Sequence, residues 1–174
     1  MSLRYALLGL LADEPASGYD LLRRFKSSLA EVWPATQSQI YTELAKLADG
    51  GLIAVSDAGA RGRKEYRITD DGLAQLRQWL TETTPKRVAR NETVLRVFFL
   101  GAVSAAEARK YLADIEARSA RALKDLESLK TSIDWDDSDL SIYGHIAMEW
   151  GERVYAMNQE WAQWAIEQIP ERNT

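Results

Sequence analysis

Residues 36–53, TQSQIYTELAKLADGGLI, place two Gln and a Ser ahead of a run of spaced apolar residues and close on a Gly pair. Wound at roughly 100° per residue, the segment puts Ile40, Leu44, Leu47 and Ala48 on one face. This predicts a helix over 36–49, begun by Thr36 and ended at Gly50-Gly51. The opposite face holds Ser38, Thr42, Ala45, Lys46 and Asp49, mostly small or hydrogen-bonding groups. A helix entering the major groove of DNA needs such a face. Short side chains let the backbone approach, and donors and acceptors meet base edges. Its first turn brings free N–H groups and the positive dipole end toward phosphate. Thr36-x-x-Gln39 fits a capping box, and a Gln folded back onto the backbone does not reach a base. Gln37 and Ser38 are therefore the leading base-contact candidates. Gln39 ranks below them, and Thr42 and Lys46 lie further along. Asp49 repels phosphate, so contact fades toward the helix end. An ordinary amphipathic surface helix carries the same pattern.

Upstream, LRYALLGLL (residues 3–11) is apolar nearly all round, which predicts a short buried helix ended by Asp13, Glu14 and Pro15. Ser17 is placed to cap a helix over 18–30, with Tyr19, Leu22, Phe25 and Leu29 at helical spacing. Trp33-Pro34 enforces an extended turn. Downstream, 52–56 and 65–68 are short β-prone runs flanking DAGARGRK, so the pair reads as a hairpin. Its tip gathers Arg61, Arg63 and Lys64 beside two Gly. Cations there neutralise phosphates, or an Arg enters a narrow minor groove; a merely solvated turn is the bland reading. Thr69 or Asp70 caps a helix over 70–83 that buries Leu73, Leu76 and Leu80. Three helices, a hairpin and a helix are the order of a winged helix-turn-helix.

Charge supports a divided chain. Net charge is −4, unfavourable for a nucleic-acid binder taken whole. Residues 1–90, however, carry 13 Lys and Arg against 11 Asp and Glu, a net of +2. Residues 91–174 carry 9 against 15, a net of −6. Only the first half suits a polyanion, through a local patch. The polar, Pro-containing run 84–91 marks the boundary, giving a DNA-binding domain over 1–84 and a helical domain over 91–174. No Cys is present, which excludes disulfides and thiolate metal sites and suits a cytoplasmic protein. No apolar run reaches the roughly 20 residues of a membrane span.

In the second half, TVLRVFFLGAV reads as core. Ser104 and Glu107 form a capping box at the head of a long helix. Along it Leu112, Ile115, Ser119, Ala122, Leu126, Leu129 and Ile133 alternate in steps of three and four. After DWDDSD (134–139) a second long helix repeats the alternation with Tyr143, Ala147, Trp150, Val154, Met157, Trp161 and Trp164. These are coiled-coil-like seams. They suggest packing across a two-fold axis, with Leu112, Ile115, Leu126, Leu129, Trp150, Met157 and Trp161 as dimerisation residues. An intramolecular hairpin of a monomer is the alternative. The only His, His145, lies inside the last helix. No nucleophile with its base, phosphate cradle or dense metal-ligand spacing is evident, so neither an enzyme nor a cofactor is expected. The Asp-rich turn lacks the Gly and terminal Glu of a calcium loop.

LRYALLGLLADEPASGYDL, QIYTELAKLADGGLI and RKEYRITDDGLAQL resemble the PadR family of bacterial transcriptional regulators, and NETVLRVFFLG resembles the family's link into its C-terminal domain. The likeness spans nearly the whole chain. It implies a mainly α fold with a small β-hairpin: a winged helix-turn-helix domain followed by a long-helix dimerisation domain. It further implies a homodimeric repressor of double-stranded DNA, with Tyr41 close to the DNA backbone. Many members carry Pro after that tyrosine. Thr42 stands here instead, which suggests the branch with the longer C-terminal domain. Relatives often respond to small aromatic molecules, and the tryptophans of the second half could line a pocket for one or simply be packing material. The other functional class in play is a winged-helix protein-interaction module without a DNA target, favoured by the acidic total.

Overall fold

A computed structural model describes residues 2–29, 33–59, 63–85 and 90–170. The chain divides into two compact units, residues 1–86 and 87–174.

In the first unit, α1 (Ser2–Asp13) sends Leu7, Leu8, Leu10 and Leu11 into the core. Neighbours on several sides explain its all-round apolarity: α2 (Gly18–Ser28), α3 (Gln37–Asp49) and α4 (Asp70–Glu82) all pack against it. Ser17 caps α2, its hydroxyl oxygen accepting the Asp20 N–H at 3.2 Å. The inward side chains of α2 are Leu21, Leu22 and Phe25. Tyr19, expected on that stripe, is 59% exposed, because the stripe is offset by one position toward Leu21. Ile40, Leu44 and Leu47 of α3 are fully buried, as their spacing predicts.

The Gly pair after α3 forms a Schellman ending. Leu52 N–H donates to Leu47 O at 2.9 Å and Gly51 N–H to Ala48 O at 3.0 Å. Gly51 holds φ at +70°, so only this glycine of the two is demanded by backbone geometry. The turn leads into β2 (Ile53–Gly59), which pairs antiparallel with β3 (Arg63–Ile68). A two-residue strand, β1 (Ala16–Ser17), lies on the other side of β3 and pairs Ala16 with Tyr66. The expected hairpin is thus a three-stranded sheet; β1 is too short to carry a periodicity of its own.

Thr69 caps α4 and also fastens it to the end of α3: its hydroxyl donates to Gly51 O at 2.8 Å, and its N–H to Leu52 O at 3.1 Å. Gly72 fits under the same strand start; a Cβ there would meet Leu52 O at 2.1 Å. Leu76 is buried, Leu73 half-buried, and Leu80 exposed against expectation. Trp79 takes the inward place in that turn, stacking on Tyr5 with ring centroids 4.5 Å apart.

The second unit holds α5 (Glu92–Phe98), a 3-10 turn (Leu100–Ala102), α6 (Ala105–Ser132) and α7 (Asp139–Glu167). The Ser104–Glu107 capping box is complete, with Ser104 N–H donating to Glu107 Oε2 at 2.9 Å and Glu107 N–H to Ser104 Oγ at 3.2 Å. Helices α6 and α7 form an antiparallel pair. Arg109 Nη2 donates to Ile169 O at 2.7 Å, Gln163 Nε2 to Glu116 Oε1 at 2.7 Å, and Lys130 Nζ to Glu152 Oε2 at 2.8 Å. The small core between them is Leu112, Ile115, Ala162 and Ala165, flanked by Val97, Leu100, Tyr111 and Trp161. The stretch TVLRVFFLGAV is not core as expected. Phe98 is 80% exposed, and Val94, Leu95, Phe99 and Val103 are exposed with it. Only Val97 and Leu100 turn inward, because α5 is short and meets the helix pair along one edge.

Candidate nucleic-acid interface

Helix α3 presents the surface on which the DNA reading rests. Gln37, Ser38, Thr42, Ala45, Lys46 and Asp49 are all exposed. Gln39 is exposed too, but its side-chain oxygen accepts the Thr36 N–H at 2.8 Å while Thr36 Oγ1 accepts the Gln39 N–H at 3.3 Å. The capping box therefore engages the Gln39 carbonyl, leaving Gln37 and Ser38 as the unencumbered polar groups of the first turn. An open groove of about 240 Å³ runs beside them, lined by Trp33, Pro34, Ser38, Thr42 and Lys46 among others.

The cations around this surface are not equally available. Lys46 stands 3.7 Å from Glu43, which also faces Arg4 at 3.9 Å. Arg23 pairs with Asp20 at 3.4 Å, and Arg24 lies beside Asp13 and Glu14. An exposed pair such as Arg23–Asp20 contributes about 0–1 kcal/mol, so a phosphate can compete for Arg23. Of the wing cations, Lys64 is exposed on β3 and Arg63 is the first residue of that strand. Arg61 lies outside the described residues.

Tyr41 sits on the flank of α3, 39% exposed. Its ring rests on Gly18, where a Cβ would fall 2.7 Å from Tyr41 Cε1.

The second unit redistributes the seven dimerisation candidates. Leu112 and Ile115 are buried inside the α6–α7 pair, and Trp161 packs half-buried against the same cluster. Leu126 and Leu129 are half-buried; Leu126 reaches α7, since a Cβ on Gly151 would meet its Cδ2 at 3.0 Å. Trp150 and Met157 alone face outward, at 69% and 58% exposure. Tyr143 and Trp164 are exposed as well. The four residues 143, 150, 157 and 164 are seven apart, a heptad stripe on the outside of the helix pair.

The Asp-rich turn is a capping structure. Asp136 Oδ1 accepts from the Ser138 N–H at 3.1 Å and from its hydroxyl at 2.5 Å. These bonds, with the Ser141 hydroxyl, pull the Asp136 carboxyl down to about 2. Ser138 in turn caps α7. Trp135 donates Nε1–H to Lys130 O at 3.0 Å and meets His145 edge-on at 5.2 Å. Among the described residues no group of three or more His, Cys, Asp or Glu could hold a metal ion.

Residues 7–78 match the model of the transcriptional regulator PadR-like family, and residues 89–169 match that of the virulence activator alpha C-term. The negative transcriptional regulator PadR of Bacillus subtilis (strain 168) is 38% identical over 130 residues, 72% of this chain and 71% of that protein. The chain belongs to the PadR-like family of transcriptional regulators. Solved structures of the family agree over nearly its full length. The Bacillus subtilis PadR structure in complex with operator DNA has a TM-score of 0.81 at 28% identity, covering 98% of this chain and 100% of that one. The structure of the same protein with p-coumaric acid has a TM-score of 0.84 at 28% identity, covering 97% and 99%.

Two features of this PadR-family chain were beyond sequence reasoning. One is the contact of Gly18 with Tyr41, which joins residues 23 positions apart. The other is which stripe of α7 faces out. Ala162, Ala165 and Gly151 on one face against tryptophans on another was the signal available for it, since small residues permit close helix approach.

Proposed function

We propose that this protein is a sequence-specific DNA-binding repressor that works as a homodimer and is released by a small aromatic effector. The observation that carries the reading is its 38% identity to a negative transcriptional regulator, PadR, whose operator-bound structure matches the chain from end to end. Geometry supplies the parts. Helix α3 has a fully buried face that fixes its depth and an exposed face of short polar groups, suited to the major groove. Gln37, Ser38 and Thr42 are the proposed base readers. Tyr41, Lys46 and the wing cations Arg61, Arg63 and Lys64 are the proposed phosphate contacts, with Gln39 holding the helix start.

A single winged helix covers one half-site, and a dimer supplies the second. The outward stripe of Tyr143, Trp150, Met157 and Trp164 is the proposed seam between copies, since burying large apolar side chains offsets the cost of association. Exposed Leu95, Phe98 and Phe99 add apolar area for the same purpose. An effector that displaces the paired α7 helices alters the spacing of the two heads and loses one of them. The p-coumaric acid complex of the Bacillus subtilis relative supports an aromatic acid as that effector. The protein acts by occupancy, without catalysis, and works in the cytoplasm. Among the described residues no helix is long and apolar enough to cross a membrane.

The test is fluorescence anisotropy with a labelled duplex from upstream of the protein's own gene, titrated at low salt and then with p-coumaric acid. Saturable binding of two chains per site, reversed by the acid, is expected. Binding reversed by none of a panel of aromatic acids removes the effector. Indifference to every promoter fragment offered removes the regulator.

A further inference from the structure

Gly18 opens α2, one residue after the Ser17 cap. Nothing in its own backbone demands glycine: among the described glycines only Gly51 has a positive φ. Helix interiors and starts are better served by other residues, because glycine gives up the most backbone freedom on folding. What does demand glycine is a neighbour. A Cβ on Gly18 would stand 2.7 Å from Tyr41 Cε1, 3.3 Å from Cζ and 3.3 Å from the hydroxyl oxygen. The outer edge of the phenol, hydroxyl included, lies across the bare Cα at the start of α2. A methyl group there strikes the ring, which must swing about its side-chain torsions to clear it and so carries the hydroxyl away.

The hydroxyl is thereby held at the junction between α2 and α3, on a residue that remains partly open to solvent. Asp20 shares that end of α2, its carboxylate taken up by the Ser17 hydroxyl at 2.7 Å and by Arg23 at 3.4 Å. A phosphate approaching the junction meets that carboxylate, so the bare helix end is a poor receptor for it. A neutral O–H donor at a fixed point is a better one, because hydrogen bonds to a charged acceptor depend steeply on geometry.

We infer that Gly18 is a positioning residue. Its missing side chain seats the Tyr41 ring, and so sets the point from which the Tyr41 hydroxyl donates to a DNA phosphate. This rests on the DNA-binding reading above. Because the hydroxyl is uncharged, its contact displaces no counterion, and its loss weakens binding without changing the salt slope.

The experiment measures dissociation constants for the promoter fragment across a salt series, beside thermal unfolding, for the unmodified protein, Tyr41→Phe, Gly18→Ala and the double variant. Tyr41→Phe is expected to weaken binding about tenfold, the size of one hydrogen bond to a charged group, at an unchanged salt slope. Gly18→Ala is expected to do at least as much, and the double variant to bind no worse than Gly18→Ala alone. Losses that multiply in the double variant overturn the inference, since Gly18 then acts independently of the hydroxyl. Tyr41→Phe binding as tightly as the unmodified protein overturns it too, while leaving the regulator intact. If Gly18→Ala does not fold, Gly18→Ala/Tyr41→Ala removes the ring the methyl would strike. Recovery of the fold supports the seat, and failure to recover overturns it. An unmodified protein that binds no fragment ends both readings.

Discussion

Leu44 and Trp150 occupy helices of the two units and are both large and apolar. Leu44 is fully buried, while Trp150 is 69% exposed. The first unit closes on itself: α1 is surrounded, α3 sends three side chains inward, and α4 is fastened by Thr69 to the corner after α3. The second has a core of two large and two small residues, and keeps Tyr143, Trp150, Met157 and Trp164 outside. One unit closes over its own apolar core, and the other leaves large apolar side chains exposed. For the proposed DNA-binding dimer that is a sensible division, because a reading surface must be rigid and a joining surface must be sticky.

The sharpest way to break this contrast is Leu44→Ala. Loss of a buried leucine in a closed core costs about 2–5 kcal/mol, and a lowered midpoint in urea, followed by far-UV circular dichroism, is the expected result. Trp150→Ala should leave that unfolding transition in place. Its effect belongs to association, about 2 kcal/mol or more weaker if the tryptophan anchors the seam, read by sedimentation equilibrium. A dimer of unchanged affinity would remove α7's outer stripe from the interface. Thr36→Ala tests the reading helix at its origin. Losing the cap costs about 1 kcal/mol of stability. It also releases Gln39, so a changed pattern of base preference in a binding-site selection is expected alongside.

The smallest effect is a pH dependence of the turn between α6 and α7. Asp136 has its carboxyl lowered from 3.8 to about 2 by the Ser138 and Ser141 hydrogen bonds. A depressed carboxyl favours the folded turn above pH 3.8, and that contribution is lost as pH falls through about 2. Carboxyl chemical shifts across this window are the measurement; an Asp136 that titrates near 4 ends the claim.

Legibility followed the reach of the interactions. Both capping boxes lie within four residues, so Thr36–Gln39 and Ser104–Glu107 could be read directly, as could the buried stripe of α3. β1 could not, because two residues have no periodicity and become a strand only against β3. Trp79 displaced Leu80 because its partner, Tyr5, is 74 positions away. In α7 the period was visible but its phase was not: two apolar stripes share one helix, and the smaller side chains won the inside. At the interface, Gln37, Ser38 and Thr42 were legible as an exposed polar face. The availability of Lys46 and the seat of Tyr41 depend on Glu43 and Gly18, whose positions only the fold reveals.

Gly51, Leu52, Thr69 and Gly72 meet at one corner, where the end of α3, the start of β2 and the start of α4 are mutually hydrogen-bonded or in contact. Such a joint has no slack. An added or deleted residue between 50 and 53 would disturb all three elements at once. The joint acts as a ruler, and it sets the offset between α3 and the start of the β2–β3 hairpin.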